Sequence, residues 1–386
     1  MGELAYTINN NKLSISLEGR VDTNNASAVE EKINEIINNN SGYELVLDAE
    51  KLDYISSAGL RVILRLRKVH PEIMVTNVSS DVYDIFDMTG FTEMLKVEKA
   101  FKSISVEGCD IIGQGSNGIV YRIDPETIVK VYRYPDALDD IRHEREVARR
   151  ALILGIPTAI SYDIVKVGDK YGSVFELLNA KSFTELIIEN PDDFDKYVSI
   201  YVDVLKKIHA TEASESDFPD IKKTAKKWVT DIENELPEEI IGKLHKMIDE
   251  IPFSNTLVHG DYHTNNLMMQ GDEALMIDMD TLSIGNPVFD FATIYSAYSG
   301  FSEIDPTVIE KFLGITREKG LELLNKTFEL YFDPDVREIN IAKARVLSYI
   351  RLLRRTIKRY PENTAMIKHC KEMLLELVPK IHNLYY

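Results

Sequence analysis

Leu257-Val258-His259-Gly260-Asp261-Tyr262-His263-Thr264-Asn265-Asn266-Leu267, with Leu275-Met276-Ile277-Asp278-Met279-Asp280 close behind, is the stretch on which the reading of this chain turns. Two apolar, strand-like runs each lead into a polar cluster: Asp-x4-Asn first, then a second acidic site twelve residues past Asn266. Phosphoryl transfer needs a carboxylate to orient or deprotonate an acceptor hydroxyl, and oxygen ligands for Mg2+. Asp261 suits the first role; Asn266 and Asp278 suit the second. Magnesium keeps several waters, so few protein ligands suffice. His259 reads as a structural histidine bonded to backbone. His263 could open a metal site with His259, but no third His or Cys sits at zinc-like spacing, which argues against zinc. Asp280 either holds a second ion or only shapes its loop. Asp290, in Pro287-Val288-Phe289-Asp290-Phe291-Ala292, is expected to bond loop backbone rather than to react.

Upstream, Ile112-Gly113-Gln114-Gly115-Ser116-Asn117-Gly118-Ile119-Val120-Tyr121 contains GxGxxG. Glycines let backbone N–H groups approach phosphate oxygens closely. A dinucleotide-binding version would open a helix at the third glycine. Ile119–Ile123 is strand-like instead, so Gly113, Gly115 and Gly118 belong to a loop capping a hairpin, in the manner of a kinase loop over ATP. Twelve residues past Gly118, Lys130 sits in the β-rich run Ile128-Val129-Lys130-Val131-Tyr132, placed to hold α- and β-phosphates. Its acidic partner is Glu144 or Glu146 on the following helix. Glu144 shares a face with Val147, Ala148 and Ala151, which favours it.

Outward from these motifs the chain divides in two. Residues 1–100 alternate short strands with amphipathic helices: a hairpin Leu4–Ile8/Leu13–Leu17 about Asn-Asn-Asn, then Asn24–Ile37, Glu44–Leu47, Ala58–Val69, Ile73–Val78, Val82–Met88 and Met94–Val97. That alternation predicts a small α/β sheet covered by helices. From about 108 the pattern is strand, glycine loop, two strands and a helix at Asp139–Leu154, then more strands to Leu178. Beyond Ser182 helices dominate, interrupted by loops and strands at Thr256–Asp280. Ser56 and Ser57, in Leu52-Asp53-Tyr54-Ile55-Ser56-Ser57-Ala58-Gly59-Leu60, stand at a strand-to-helix junction. Either can cap the helix, and a phosphate there would be favoured by the helix dipole.

Composition sets the outer limits. The chain has 386 residues, 44% apolar and 28% charged, with a net charge of −18. This is globular rather than disordered, and too acidic for general nucleic-acid binding. Residues 1–106 carry 16 acidic against 11 basic side chains, so most of the negative charge falls on the larger part. Two cysteines, Cys109 and Cys370, make no disulfide framework. The N-terminus lacks a basic-then-apolar secretory pattern, and no run is long enough for a membrane helix. A cytoplasmic protein with no membrane partner is expected.

Residues from about 108 to 386 resemble the aminoglycoside phosphotransferase and choline kinase-like family, through GQGSNGIV, Lys130, the helix glutamate, HGDYHTNN, IDMD and FDFA. The resemblance implies a bilobal, α+β protein-kinase-like fold with a largely helical C-terminal lobe: an N-lobe over about 108–178 and a C-lobe over about 182–386. It implies that Asp261 is the catalytic base, that Asn266 and Asp278 bind Mg2+, and that Lys130 binds the phosphates of ATP. Val174–Leu178 would be the hinge whose backbone, at Glu176 and Leu178, receives adenine. Residues 1 to about 105 resemble STAS domains, an α/β fold, through Gly19-Arg20-Val21-Asp22, Ser57-Ala58-Gly59-Leu60 and Phe86–Phe91. Ser57 stands where that family's regulatory phosphoserine falls, although Ser56 replaces the usual Asp before it.

Only eleven residues separate Asp278 from Asp290, which leaves no room for a peptide-binding segment. A small-molecule acceptor is therefore expected, and the acidic bias suits a cationic alcohol. A second reading stays open: a partner-switch module whose kinase-like half phosphorylates Ser57 or a protein docked through the STAS domain. A nucleotide-sensing pseudokinase is disfavoured, because no key catalytic position is missing.

Overall fold

The computed structural model describes residues 4–9, 11–115 and 117–386. Asn10 of the Asn-Asn-Asn turn, Ser116 of the glycine loop and the first three residues lie outside the described residues. Backbone contacts divide the chain into two units: Met1–Ser105 with Ile164–Gly168, and Val106–Asp163 with Asp169–Tyr386.

In the first unit five strands run in the order Tyr6–Asn9, Lys12–Val21, Glu44–Ile55, Met74–Val78 and Lys96–Lys99. The first pair is antiparallel, as a tight turn dictates, and the other three are parallel. Parallel neighbours need crossovers, supplied by helices Ala26–Asn39, Ser57–Val69 and Ser80–Met88. Val29, Ile33, Leu60 and Ile63 from two of these helices pack on Leu13, Ile15, Leu47 and Val75 of the sheet. The third strand runs eight residues past the expected Leu47, because Ala49, Leu52 and Ile55 continue the buried side to its end. The last strand begins at Lys96 rather than Met94: Phe91–Met94 form a helical turn that buries Phe91. Lys102–Ser103 pairs in parallel with Val165–Lys166, which places that short segment with the first unit.

In the second unit, strands Lys170–Glu176, Thr127–Tyr132, Gly118–Arg122 and Asp110–Gln114 lie side by side and antiparallel. Gly118 is demanded by the sheet itself: a Cβ there would stand 2.5 Å from the Val131 carbonyl oxygen. Helix Leu138–Ile153 buries Ile141, Val147, Ala148 and Ala151. The remaining mass is helical, organised about Val288–Tyr298, in which every residue is buried. A helix buried on every side is a core helix, and its polar Asp290, Thr293 and Ser296 are each hydrogen-bonded. Phe194–Ala210, Arg317–Tyr331 and the long Pro334–Arg359 supply its surroundings. Two short antiparallel pairs, Leu257–Val258 with Ser283–Ile284 and Leu267–Gln270 with Glu273–Met276, carry the polar clusters at their ends. Among the described residues, no helix is long and apolar enough to cross a membrane.

Candidate active site

Lys130 is the centre of the site. Strand alternation turns its side chain off the Thr127–Tyr132 strand toward helix Leu138–Ile153, where Glu144 accepts from Nζ at 2.9 and 3.2 Å. Asp278 Oδ1 accepts from the same ammonium at 3.0 Å. Burial works against the charge, but the carboxylates of Glu144 and Asp278 outweigh it and hold the Lys130 pKa well above its ordinary value. The ammonium is therefore permanent. Glu146, the alternative partner, pairs with Arg149 and Arg150. Tyr132 donates its hydroxyl to Glu144 at 2.5 Å and so fixes the carboxylate that fixes the lysine.

Asp278 is one of few non-glycine residues with a left-handed backbone, φ +60°. Such a conformation persists only where the surroundings impose it, and Asp is among the residues that tolerate it. The preceding Ile277 N–H donates to the Asn266 carbonyl at 3.0 Å, which ties the two polar clusters together. Asn266 is buried, and its Nδ2 donates to the Asp261 carbonyl at 3.0 Å. The amide oxygen is then the end left over, the end a hard cation takes.

Among the described residues no three His, Cys, Asp or Glu converge as a metal cage. The donors present, one carboxylate and one amide oxygen, are the small oxygen-only set that Mg2+ accepts alongside phosphate. Asp280 adds to the case. Burial first, then the negative charges of Asp278 and Glu144, push its carboxyl up to about 7. Crowded carboxylates of this kind are what a divalent cation relieves, so the residues fit the metal.

Asp261 lies at the turn after the Leu257–Val258 strand, its side chain 44% exposed and open to an acceptor. Burial raises its pKa, but His263, with Nε2 3.8 Å away, and Arg351, at 4.0 Å, more than offset this and hold it below the usual carboxylate range. It is ionised at neutral pH. The turn before it is built from Gly260 and Asp290. Gly260 has φ +80°, and a Cβ there would meet the Thr281 carbonyl at 2.8 Å. Asp290, wholly buried, accepts from the His259 N–H at 2.8 Å and the Gly260 N–H at 2.6 Å. It bonds loop backbone, as the sequence suggests. His259 is also structural: its Nδ1 accepts from the Asp261 N–H at 3.2 Å, and burial lowers its pKa, so it is neutral.

The other expected positions make no side-chain bond to these groups that the structure records. Gly113, Gly115 and Gly118 form the hairpin, closed by Gly115 N–H to Gly118 O at 3.0 Å. Glu176 pairs with Thr127 on the lysine's own strand, and the Leu177 N–H donates to Glu126 O at 2.7 Å, leaving Leu178 just past the sheet. In the first unit Ser56 takes the cap, accepting from the Ala58 N–H at 3.2 Å, and Ser57 at the first helical position is exposed.

Sequence reasoning misses four residues that hold the site. His209 Nε2 lies 2.9 Å from Asp290 Oδ2; the carboxylate can only accept, so Nε2 carries the hydrogen, and Nδ1 accepts from Tyr331 at 2.7 Å. Tyr298 receives the Thr264 N–H at 2.8 Å and so anchors the catalytic turn from the core helix. Tyr132 and Arg351 are the others. For Arg351 a signal existed: Arg351-Leu352-Leu353-Arg354-Arg355 is a basic run in an acidic chain.

A lysine held by a helix glutamate, facing an Asp-x4-Asn turn and a second acidic turn across two lobes, defines a phosphotransferase. The profile of the phosphotransferase enzyme family matches residues 110–320, and the chain belongs to that family. The STAS domain profile matches residues 3–104. BtrV of Bordetella bronchiseptica, named as a candidate anti-sigma factor antagonist, is 35% identical over 85 residues, 21% of this chain and 72% of its own length. Among solved structures, the gentamicin complex of APH(2″)-IIa is 16% identical, with TM-score 0.45, over 78% of this chain and 97% of its own. ADP-bound aminoglycoside phosphotransferase APH(2″)-Ib is 17% identical, with TM-score 0.46, over 72% and 96%.

Proposed function

We propose that the chain is an ATP- and Mg2+-dependent kinase of a small-molecule hydroxyl, with residues 1–105 as a regulatory or docking domain and residues 108–386 as the catalytic one. The observation that carries the reading is Lys130 bridging Glu144 at 2.9 Å and Asp278 at 3.0 Å, which joins the glycine-loop sheet to the acidic turn. Bound Mg-ATP supplies the transferable phosphoryl group, and the metal neutralises its charge. The chain's own residues do the rest. Lys130, kept charged by Glu144, receives phosphate oxygens, and the glycine loop offers backbone N–H groups. Asp278 and the Asn266 amide oxygen hold the metal. Asp261, ionised and open, accepts a hydrogen bond from the acceptor hydroxyl and takes its proton. A carboxylate of low pKa is a weak base, so its main contribution is orientation, with proton uptake late.

The acceptor is a small molecule because the eleven residues between Asp278 and Asp290 are too few to form a peptide platform. The structural neighbours bind aminoglycosides by name, which accords with an acceptor of that size. The first domain's likeness to an anti-sigma factor antagonist supports docking of a protein partner, and exposed Ser57 is its candidate phosphosite. A cytoplasmic location accords with this chemistry.

The test is ADP release by the purified full chain against a panel of alcohols, with nucleotide binding measured alongside. Nucleotide binding together with acceptor-dependent, Mg2+-dependent ADP release is expected. A chain that binds no nucleotide and turns over no acceptor overturns the proposal.

A further inference from the structure

The net charge of −18 suits a cationic acceptor, but Arg351, 4.0 Å from the Asp261 carboxylate, has the opposite sign. Helix Pro334–Arg359 carries Arg351, Arg354, Arg355 and Lys358 within eight residues. Two of them are neutralised: Arg354 and Lys358 each meet Asp231 at 2.5 Å. Arg351 and Arg355, one turn apart, have no such close carboxylate. The carboxylate at Arg351 is Asp261 itself, at 4.0 Å, beyond hydrogen-bonding distance. Arg355 is exposed and makes no ion pair among the described residues.

Both guanidiniums lie over aromatic rings instead. Arg351 is 5.7 Å from the ring centre of Trp228, and Arg355 is 5.5 Å from that of Phe301. A guanidinium held over a ring by its charge keeps N–H groups free to donate. The aromatic floor continues to the catalytic turn: Phe301 meets Phe312 at 6.3 Å, and Phe312 meets His263 at 5.0 Å. Asn265 Nδ2 also donates to the Phe312 carbonyl at 3.1 Å. A cationic acceptor at Asp261 would compete with Arg351 for that carboxylate and would meet the unpaired charge of Arg355 one turn away. Arg351 alone has a second explanation, as the charge partner of Asp261. Arg355 does not.

Resting on the phosphotransferase reading, we propose that the acceptor carries an anionic oxygen group, carboxylate or phosphate, received by Arg351 and Arg355 beside Asp261. A forked guanidinium pair on aromatic supports is the arrangement that reads such groups bidentately.

Trp228 is the chain's one tryptophan, so its fluorescence reports anion binding without any nucleotide. The full chain is titrated at constant ionic strength with glycerol 3-phosphate, glycerate, glycerol and ethanolamine, and the same four are then compared in ADP release. Saturable fluorescence changes are expected with the two anions only, and faster ADP release with an anionic member than with ethanolamine. Arg355→Gln and Arg351→Gln each weaken the anion response about ten- to a hundredfold, the scale of one charge-assisted contact. An absent anion response, a response in both variants unchanged from wild type, or preference for ethanolamine overturns the proposal. An anion response from a chain that neither binds ATP nor releases ADP overturns the phosphotransferase reading and leaves the anion site standing.

Discussion

Replacing Asp290 by Asn removes one charge from the most enclosed point of the catalytic turn. The carboxylate is 0% exposed and accepts from the His259 N–H and His209 Nε2 on Oδ2, and from the Gly260 N–H on Oδ1. An Asn side chain has one acceptor oxygen. Its best orientation keeps that oxygen toward His259 and His209 and turns its NH2 toward the Gly260 N–H, a donor facing a donor. Losing one charge-assisted bond, weakening two others and desolvating an unpaired donor costs roughly 3–5 kcal/mol. For a unit of this size that lowers the melting temperature by about 5–15 °C. Thermal unfolding followed by Trp228 fluorescence reads the larger unit, because the tryptophan lies there. The pH dependence has a definite sign. Burial raises the Asp290 pKa, but His209 and the loop N–H groups outweigh it and hold the folded value below the ordinary one. The charge therefore stabilises fully above the unfolded pKa, and its contribution is lost as pH falls through the lower folded value. The gap between wild type and Asp290→Asn is constant from pH 8 to pH 5 and narrows below about pH 4. A melting shift under about 1 °C, or a gap that widens on acidification, refutes the reasoning.

Three further outcomes follow from the geometry. Glu144→Gln leaves Lys130 with Asp278 alone and removes the charge accepting from Tyr132, so the KM for ATP rises about tenfold in the ADP-release assay; an unchanged KM removes Lys130 from phosphate binding. Gly118→Ala sets a Cβ 2.5 Å from the Val131 oxygen and costs about 1–3 kcal/mol by urea unfolding, whereas a neutral result means the strand pair yields freely. Incubation of the full chain with Mg-ATP leaves its intact mass unchanged; gain of one phosphate, lost in Ser57→Ala, would restore the partner-switch reading.

Much of this was legible in the sequence because the deciding signals are local. Helix periodicity alone separates Glu144 from Glu146, since one lies on the face of Val147 and Ala151 and the other beside Arg149 and Arg150. The polar turns announce themselves as short motifs after apolar runs. What stayed hidden depends on residues far apart in the chain. His209 meets Asp290 across 81 positions, and neither carries a local mark of the other. Gly118 shows a subtler limit: the loop pattern suggests phosphate binding, while the structure shows that sheet packing already requires a glycine there. Net charge is a coarse signal for the same reason: −18 averages over the whole chain, while Arg351 and Arg355 stand locally against the trend. In the first unit, burial of Phe91 turned an expected strand start into helix.

The central claim is that Asp261 performs the chemistry at a site whose nucleotide is held by other residues. Asp261→Ala, assayed for ADP release on an acceptor that the wild type accepts and for nucleotide binding by calorimetry, separates the two. The account predicts a loss of turnover of at least about a hundredfold with the nucleotide Kd within about threefold of wild type. Turnover retained in Asp261→Ala would contradict it.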